Sequence, residues 1–140
     1  MTIEINRVEG DFGFEAKDVN GHTLHLDTST ETGGTNFGVR PMQSLLMGLG
    51  ACSGIDIVSI LIKQRLTLNE FSIKINGQRE KDKVPSMWES VHMVFELTGN
   101  IDQEKADRAC ALSINKYCSV AETLRRSGTK ITWEVIVNNR

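Results

Sequence analysis

The chain has 140 residues, with 16 Lys and Arg against 18 Asp and Glu, and a net charge of −2. This is the length of one domain able to build its own core, so residues 1–140 are expected to form a single domain. The missing basic excess excludes a protein that grips nucleic-acid phosphates, and no apolar run is expected to reach membrane-spanning length.

The first residues alternate as a strand and carry no signal-peptide core. Ile3 and Ile5 alternate with polar neighbours, as do Phe12, Phe14 and Ala16, then Leu24 and Leu26. Glu9-Gly10-Asp11 and Asn20-Gly21 separate these runs. The Asn-Gly pair is a hairpin signal because both residues accept positive φ. Residues 28–39 carry three glycines with many hydroxyls and amides, and are expected to form a flexible loop.

From Pro41 the composition changes. Pro suits a first helical position. Met42, Leu45, Leu46, Leu49, Ile57, Ile60 and Leu61 then keep helical spacing. Other apolar residues fill the gaps, so the helix is expected to be central and buried. Gly48, Gly50 and Gly54 each cost roughly 1 kcal/mol in a helix interior. They imply either close approach of another backbone or a break into two pieces.

A strand through Phe71, Ile73 and Ile75 follows, then a charged turn with Pro85, then a strand through Val91, Met93, Phe95 and Leu97. Asp102 is placed to cap a helix over QEKADRACALSINKYC. Ser119 and Glu122 have capping-box spacing, so a break near Tyr117-Cys118 and a new short helix are expected. That helix stops at Ser127-Gly128. A last strand alternates Ile131, Trp133, Val135 and Val137. The order βββ–α–ββ–αα–β groups its strands, which indicates an α+β fold with antiparallel sheets.

The three cysteines are odd in number and do not make a disulfide framework, which suits a reducing cytoplasm. Cys52 sits among Gly, Ala and Ser, which leave space around its sulfur; a buried free cysteine that simply packs has the same setting. Cys118 is expected at a helix N-terminus, where the dipole lowers a thiol pKa, with Lys116 adding charge. Cys110 reads as core filler. His22 and His25 point to opposite faces of a strand, His92 lies on another, and no cysteine pair has C-x-x-C spacing. No metal site is therefore expected. Phosphate-loop, dinucleotide and zinc-protease motifs do not occur, so no cofactor is expected. Arg7 continues the Ile3–Ile5 face, either snorkelling at the sheet edge or pointing into a site.

The run Pro41-Met42-Gln43 followed by Leu-Met-Gly-Leu-Gly-Ala-Cys52-Ser-Gly-Ile-Asp-Ile-Val-Ser-Ile-Leu closely resembles the first-cysteine helix of the OsmC/Ohr family of osmotically inducible and organic hydroperoxide resistance proteins. Lys116-Tyr117-Cys118-Ser119-Val120-Ala121 is similar to its second-cysteine segment. The wording is nearest to the less characterised OsmC-like branch. The resemblance implies an intertwined homodimer with two antiparallel sheets wrapped around central helices. It implies that Cys52 attacks a hydroperoxide to become a sulfenic acid, that Cys118 resolves it as a disulfide, and that an external thiol or dithiol reduces the pair. No cofactor is implied. Catalytic family members carry a Glu in the stretch where this chain has Gln43, paired with a hairpin Arg that this chain lacks. Arg40, just before the helix, or Arg7 is the expected substitute, although neither matches by position, and Gln43 is expected to position by hydrogen bonding what the acid would hold. The alternative is a non-catalytic dimer that binds a small apolar ligand or a partner.

Overall fold

The computed structural model describes all 140 residues, and the chain divides into two compact units, Met1–Leu45 and Leu46–Arg140.

The first unit is a three-stranded antiparallel sheet of β1 (Glu4–Glu9), β2 (Gly13–Lys17) and β3 (Thr23–Leu26). Both expected turns form. Gly10 and Gly21 have positive φ, and the Asp18 carboxylate accepts from the Asn20 and His22 amides at 2.9 Å. The stretch read as a flexible loop is instead organised around Asp27. This buried carboxylate accepts from the amides of Thr28, Thr35 and Phe37 at 2.7, 2.9 and 3.1 Å. A bridge between Leu26 and Val39 closes it. Those amides, that of Thr35 foremost, hold the Asp27 pKa below its ordinary value.

The second unit holds most of the long helix α1 (Pro41–Lys63), which is unbroken. The three glycines neither break it nor admit another backbone. A Cβ at Gly50 or Gly54 would meet the tips of Ile75 or Ile73, whereas Gly48 faces open space. The strands are β4 (Thr67–Arg79), β5 (Trp88–Asn100) and β6 (Lys130–Asn138), with β5 in the middle. β4 and β5 pair antiparallel, as expected. β6 departs from the all-antiparallel expectation: it runs parallel to β5. The reason is the helical crossover between them, which returns the chain to the same end of the sheet.

That crossover contains α2 (Gln103–Leu112), a π-helical turn over Ser113–Tyr117, and α3 (Ser119–Arg126). Asp102 occupies the N-cap of α2, but its side chain makes no capping bond. The capping box at Ser119–Glu122 does not form either. Cys118 is the N-cap of α3, and Glu122 pairs with Arg125 and Arg126. The expected stop at Gly128 does form. Gly128 takes φ 103°, and the amides of Gly128 and Thr129 return to the carbonyls of Arg125 and Leu124.

Val91, Met93, Phe95 and Leu97 of β5 form the core with Leu49, Ile57 and Leu61 of α1 and Ala106, Ala109 and Cys110 of α2. α1 is less buried than expected. Leu49, Gly50, Ser53, Ile57 and Leu61 are its buried residues, whereas Met47, Ile55 and Ile62 are 50%, 70% and 67% exposed. By length and composition α1 could cross a membrane, contrary to the sequence expectation. A helix that lays one apolar face on a sheet passes the same test.

Candidate functional site

Cys52 lies in the middle of α1, half-buried. Asp56 follows one turn later on the same face. Cys118 comes from far down the chain, at the junction of the π turn and α3. Its backbone is extended there (φ −74°, ψ 107°), and its amide donates to the Ser113 carbonyl at 2.8 Å. The tertiary fold brings the Cys52 and Cys118 sulfurs and one Asp56 carboxylate oxygen within 4.8 Å of one another.

Two serines hold this cluster. The Ser53 hydroxyl donates to Cys118 Sγ at 3.5 Å. The buried Ser113 hydroxyl lies 3.0 Å from Asp56 Oδ2 and 3.2 Å from the Ser53 carbonyl, donating toward both. The π turn is thereby tied to α1. Asp56, Ser53 and Ser113 were not singled out from sequence. An acid inside an otherwise apolar helix, one turn after a cysteine, was the available signal for Asp56. The serines carried none.

Burial overrides the expected lowering of the Cys118 thiol by the helix dipole. Cys118 does cap α3, and its sulfur accepts from the Ser53 hydroxyl and the Ala121 amide. It is also only 2% exposed, and desolvation outweighs both bonds, so its pKa is raised. The neighbouring Cys52 side chain raises it further. Lys116 does not help: its ammonium sits over the Tyr117 ring at 5.3 Å. Cys110 lies wholly in the core, where burial pushes its thiol up to about 12.

Gln43 and Arg40 lie at the start of α1. The Arg40 amide donates to Gln43 Oε1 at 3.0 Å, and Arg40 Nη1 donates to the Gly38 carbonyl at 3.0 Å. Gln43 therefore performs half of a capping box. Arg7 is exposed on β1, opposite Phe14. The histidines pair with acids, His22 with Asp18, His25 with Glu15 and His92 with Glu134.

Concavities adjoin the second unit. One of about 460 Å³ is lined by Asp56, Ser59, Lys63, Leu112 and Tyr117. One of about 290 Å³ reaches Cys118 past Lys116, Ser119, Glu122 and Arg126. Another, about 580 Å³ and almost wholly apolar, runs along Ala51, Gly54, Ile55, Val58, Ile62 and Phe71.

Residues 32–134 match the OsmC-like protein family. The chain belongs to the OsmC family. It is 31% identical over 128 residues to protein YhfA of Escherichia coli K12, covering 91% of each chain. A hypothetical protein from Aquifex aeolicus VF5 superposes with a TM-score of 0.78 at 29% identity, covering 97% of this chain and 96% of that one. An organic hydroperoxide resistance protein OsmC from Legionella pneumophila superposes with a TM-score of 0.73 at 18% identity, covering 96% and 95%. The α+β architecture of this OsmC-family chain is thus the fold of the family's hydroperoxide resistance proteins.

Proposed function

We propose that this OsmC-family protein is a thiol-dependent reductase of organic hydroperoxides, working as a single-domain homodimer in a reducing cytoplasm. The observation that carries the reading is the approach of the Cys52 and Cys118 sulfurs to within 4.8 Å. A disulfide needs about 2.05 Å between sulfurs, a distance that side-chain rotation and a small backbone adjustment can cover. Cys52 is half-buried and accessible, whereas Cys118 is buried with a raised pKa. That asymmetry suits Cys52 as the attacking thiol and Cys118 as the resolving one.

In the first step the Cys52 thiolate attacks the outer peroxide oxygen. The O–O bond breaks, Cys52 becomes a sulfenic acid, and the alkoxide takes a proton to leave as the alcohol. Cys118 then attacks the Cys52 sulfur, the sulfenic hydroxyl leaves as water, and a disulfide forms. Two equivalents of an external thiol, or one dithiol, restore both cysteines. Gln43 acts as a positioning residue by fixing the start of the helix that carries Cys52, with Arg40 held beside it.

The apolar groove along Ile55 and Ile62 also supports a second reading, a non-catalytic dimer that binds a small apolar ligand or partner. One experiment separates the two. Reduced protein is treated with one equivalent of an organic hydroperoxide and mapped by mass spectrometry. A Cys52–Cys118 disulfide is expected in wild type and none in Cys52→Ser. Cys118→Ser is expected to accumulate a sulfenic acid that dimedone labels. A wild-type chain that stays reduced under excess hydroperoxide sinks the enzyme reading.

A further inference from the structure

Disulfide formation between Cys52 and Cys118 leaves Asp56 without a use. Two sulfurs and one carboxylate oxygen converge here within 4.8 Å, and no Lys, Arg or His forms an ion pair with Asp56. The hydrogen-bond donor to Asp56 is a neutral hydroxyl, that of Ser113. Convergent sulfur and carboxylate donors of this kind suit a divalent cation.

The geometry points to a zinc site in the reduced protein, with Cys52 Sγ, Cys118 Sγ and one Asp56 oxygen as ligands and the fourth position open. Two thiolates and a carboxylate are a donor set that zinc accepts. Tetrahedral zinc, with bonds of about 2.3 Å to sulfur and about 2.1 Å to oxygen, holds its ligand atoms roughly 3.5–3.8 Å apart. The cluster's atoms exceed that spacing by at most about 1.3 Å. Its supports are those of a metal site: Ser113 orients Asp56, and Ser53 and the Ala121 amide orient Cys118 Sγ. Asp56 borders the cleft of about 460 Å³, which supplies an entry path. Sequence spacing conceals the site because Cys118 arrives from a different element.

Binding displaces the two thiol protons. Oxidation reverses it: one hydroperoxide and two protons convert the zinc-bound dithiolate to the disulfide, an alcohol, water and free zinc ion. Metal loading and the disulfide are therefore mutually exclusive states of one site. Metal binding by the reduced thiols does not depend on peroxide turnover.

The test uses the full chain, reduced and stripped with a chelator, near pH 7. Zinc is titrated by calorimetry and cobalt(II) by absorption, where thiolate-to-cobalt charge transfer counts the sulfur ligands. One metal per chain with two thiolates is expected. Asp56→Asn should weaken binding about tenfold or more. Ser113→Ala, which keeps all three ligands, should weaken it severalfold, and Cys110→Ala should bind as wild type. Protein oxidised to the Cys52–Cys118 disulfide with diamide, a reagent that bypasses peroxide, should not bind. Absence of saturable binding, wild-type affinity in both Asp56→Asn and Ser113→Ala, or equal binding by the disulfide form overturns the proposal.

Discussion

The Ser113 hydroxyl donates to the Asp56 carboxylate at 3.0 Å, joining the π turn before Cys118 to the helix that carries Cys52. The π turn has a mechanical consequence. Its extra residue per turn shifts the register of the chain, so that Ser113 faces α1 and Cys118 emerges extended beside it. The same hydroxyl also reaches the Ser53 carbonyl at 3.2 Å, so one side chain spans two acceptors on α1.

Removing that hydroxyl should therefore loosen the crossover. Ser113→Ala is expected to destabilise the protein by about 1–2 kcal/mol, because a buried donor is lost and its acceptors are left wanting. Urea denaturation measures this. A change under about 0.3 kcal/mol would mean the tie is not structural.

The raised thiols give a signed pH dependence. Cys110 and Cys118 both hold their protons above the ordinary thiol value of 9.0, Cys110 up to about 12. Above pH 9 the unfolded chain has released protons that the fold retains, so stability falls as pH rises. It falls by at most about 1.4 kcal/mol per pH unit for each thiol. Below that point these groups contribute no slope. Cys110→Ala should flatten its share of the alkaline decline in denaturation midpoints, measured against wild type.

Asp27 gives the opposite sign. Its pKa is depressed by the Thr35 amide first, with those of Phe37 and Thr28, so its contribution is present above the ordinary carboxylate range and lost as pH falls through the folded value. Asp27→Asn should release hydrogen-exchange protection at Thr35 and Phe37. Protection unchanged in this variant would show that the Leu26–Val39 bridge alone holds the segment.

Two glycines should respond in opposite directions to alanine. A Cβ at Gly48 would meet nothing within 4 Å, so Gly48→Ala should stabilise the helix by about 0.5–1 kcal/mol. At Gly77 a Cβ would lie 2.7 Å from Trp88 and 2.9 Å from Leu46. The indole is rigid, so Gly77→Ala should cost about 1–3 kcal/mol. Thermal melts of the two variants check the contrast.

The exposed face of α1 should be covered by a second copy in solution. Ile55 and Ile62, at 70% and 67% exposure, are large apolar side chains that water meets unfavourably. Wild type is expected to sediment as a dimer, and Ile55→Asp as a monomer. A monomeric wild type at tens of micromolar would remove the dimer from the proposed mechanism.

The sequence alone determined the element order, the turns at Gly10, Gly21 and Gly128, the break before Cys118, and the two cysteine segments that carry the family resemblance. All of these are written in local terms: periodicity, φ tolerance and short motifs act over a few residues. Tertiary structure decided the rest. It made β6 parallel to β5, because the crossover length sets strand direction. It reversed the dipole reading of Cys118, because desolvation depends on everything packed around the sulfur. It left one apolar face of α1 exposed in a single chain, and it gathered Asp56, Ser53 and Ser113 around the thiols. The cysteine count, odd and unpaired at first, thus resolves into a close pair and a buried third. Only through-space distance separates them, and no spacing along the chain encodes it.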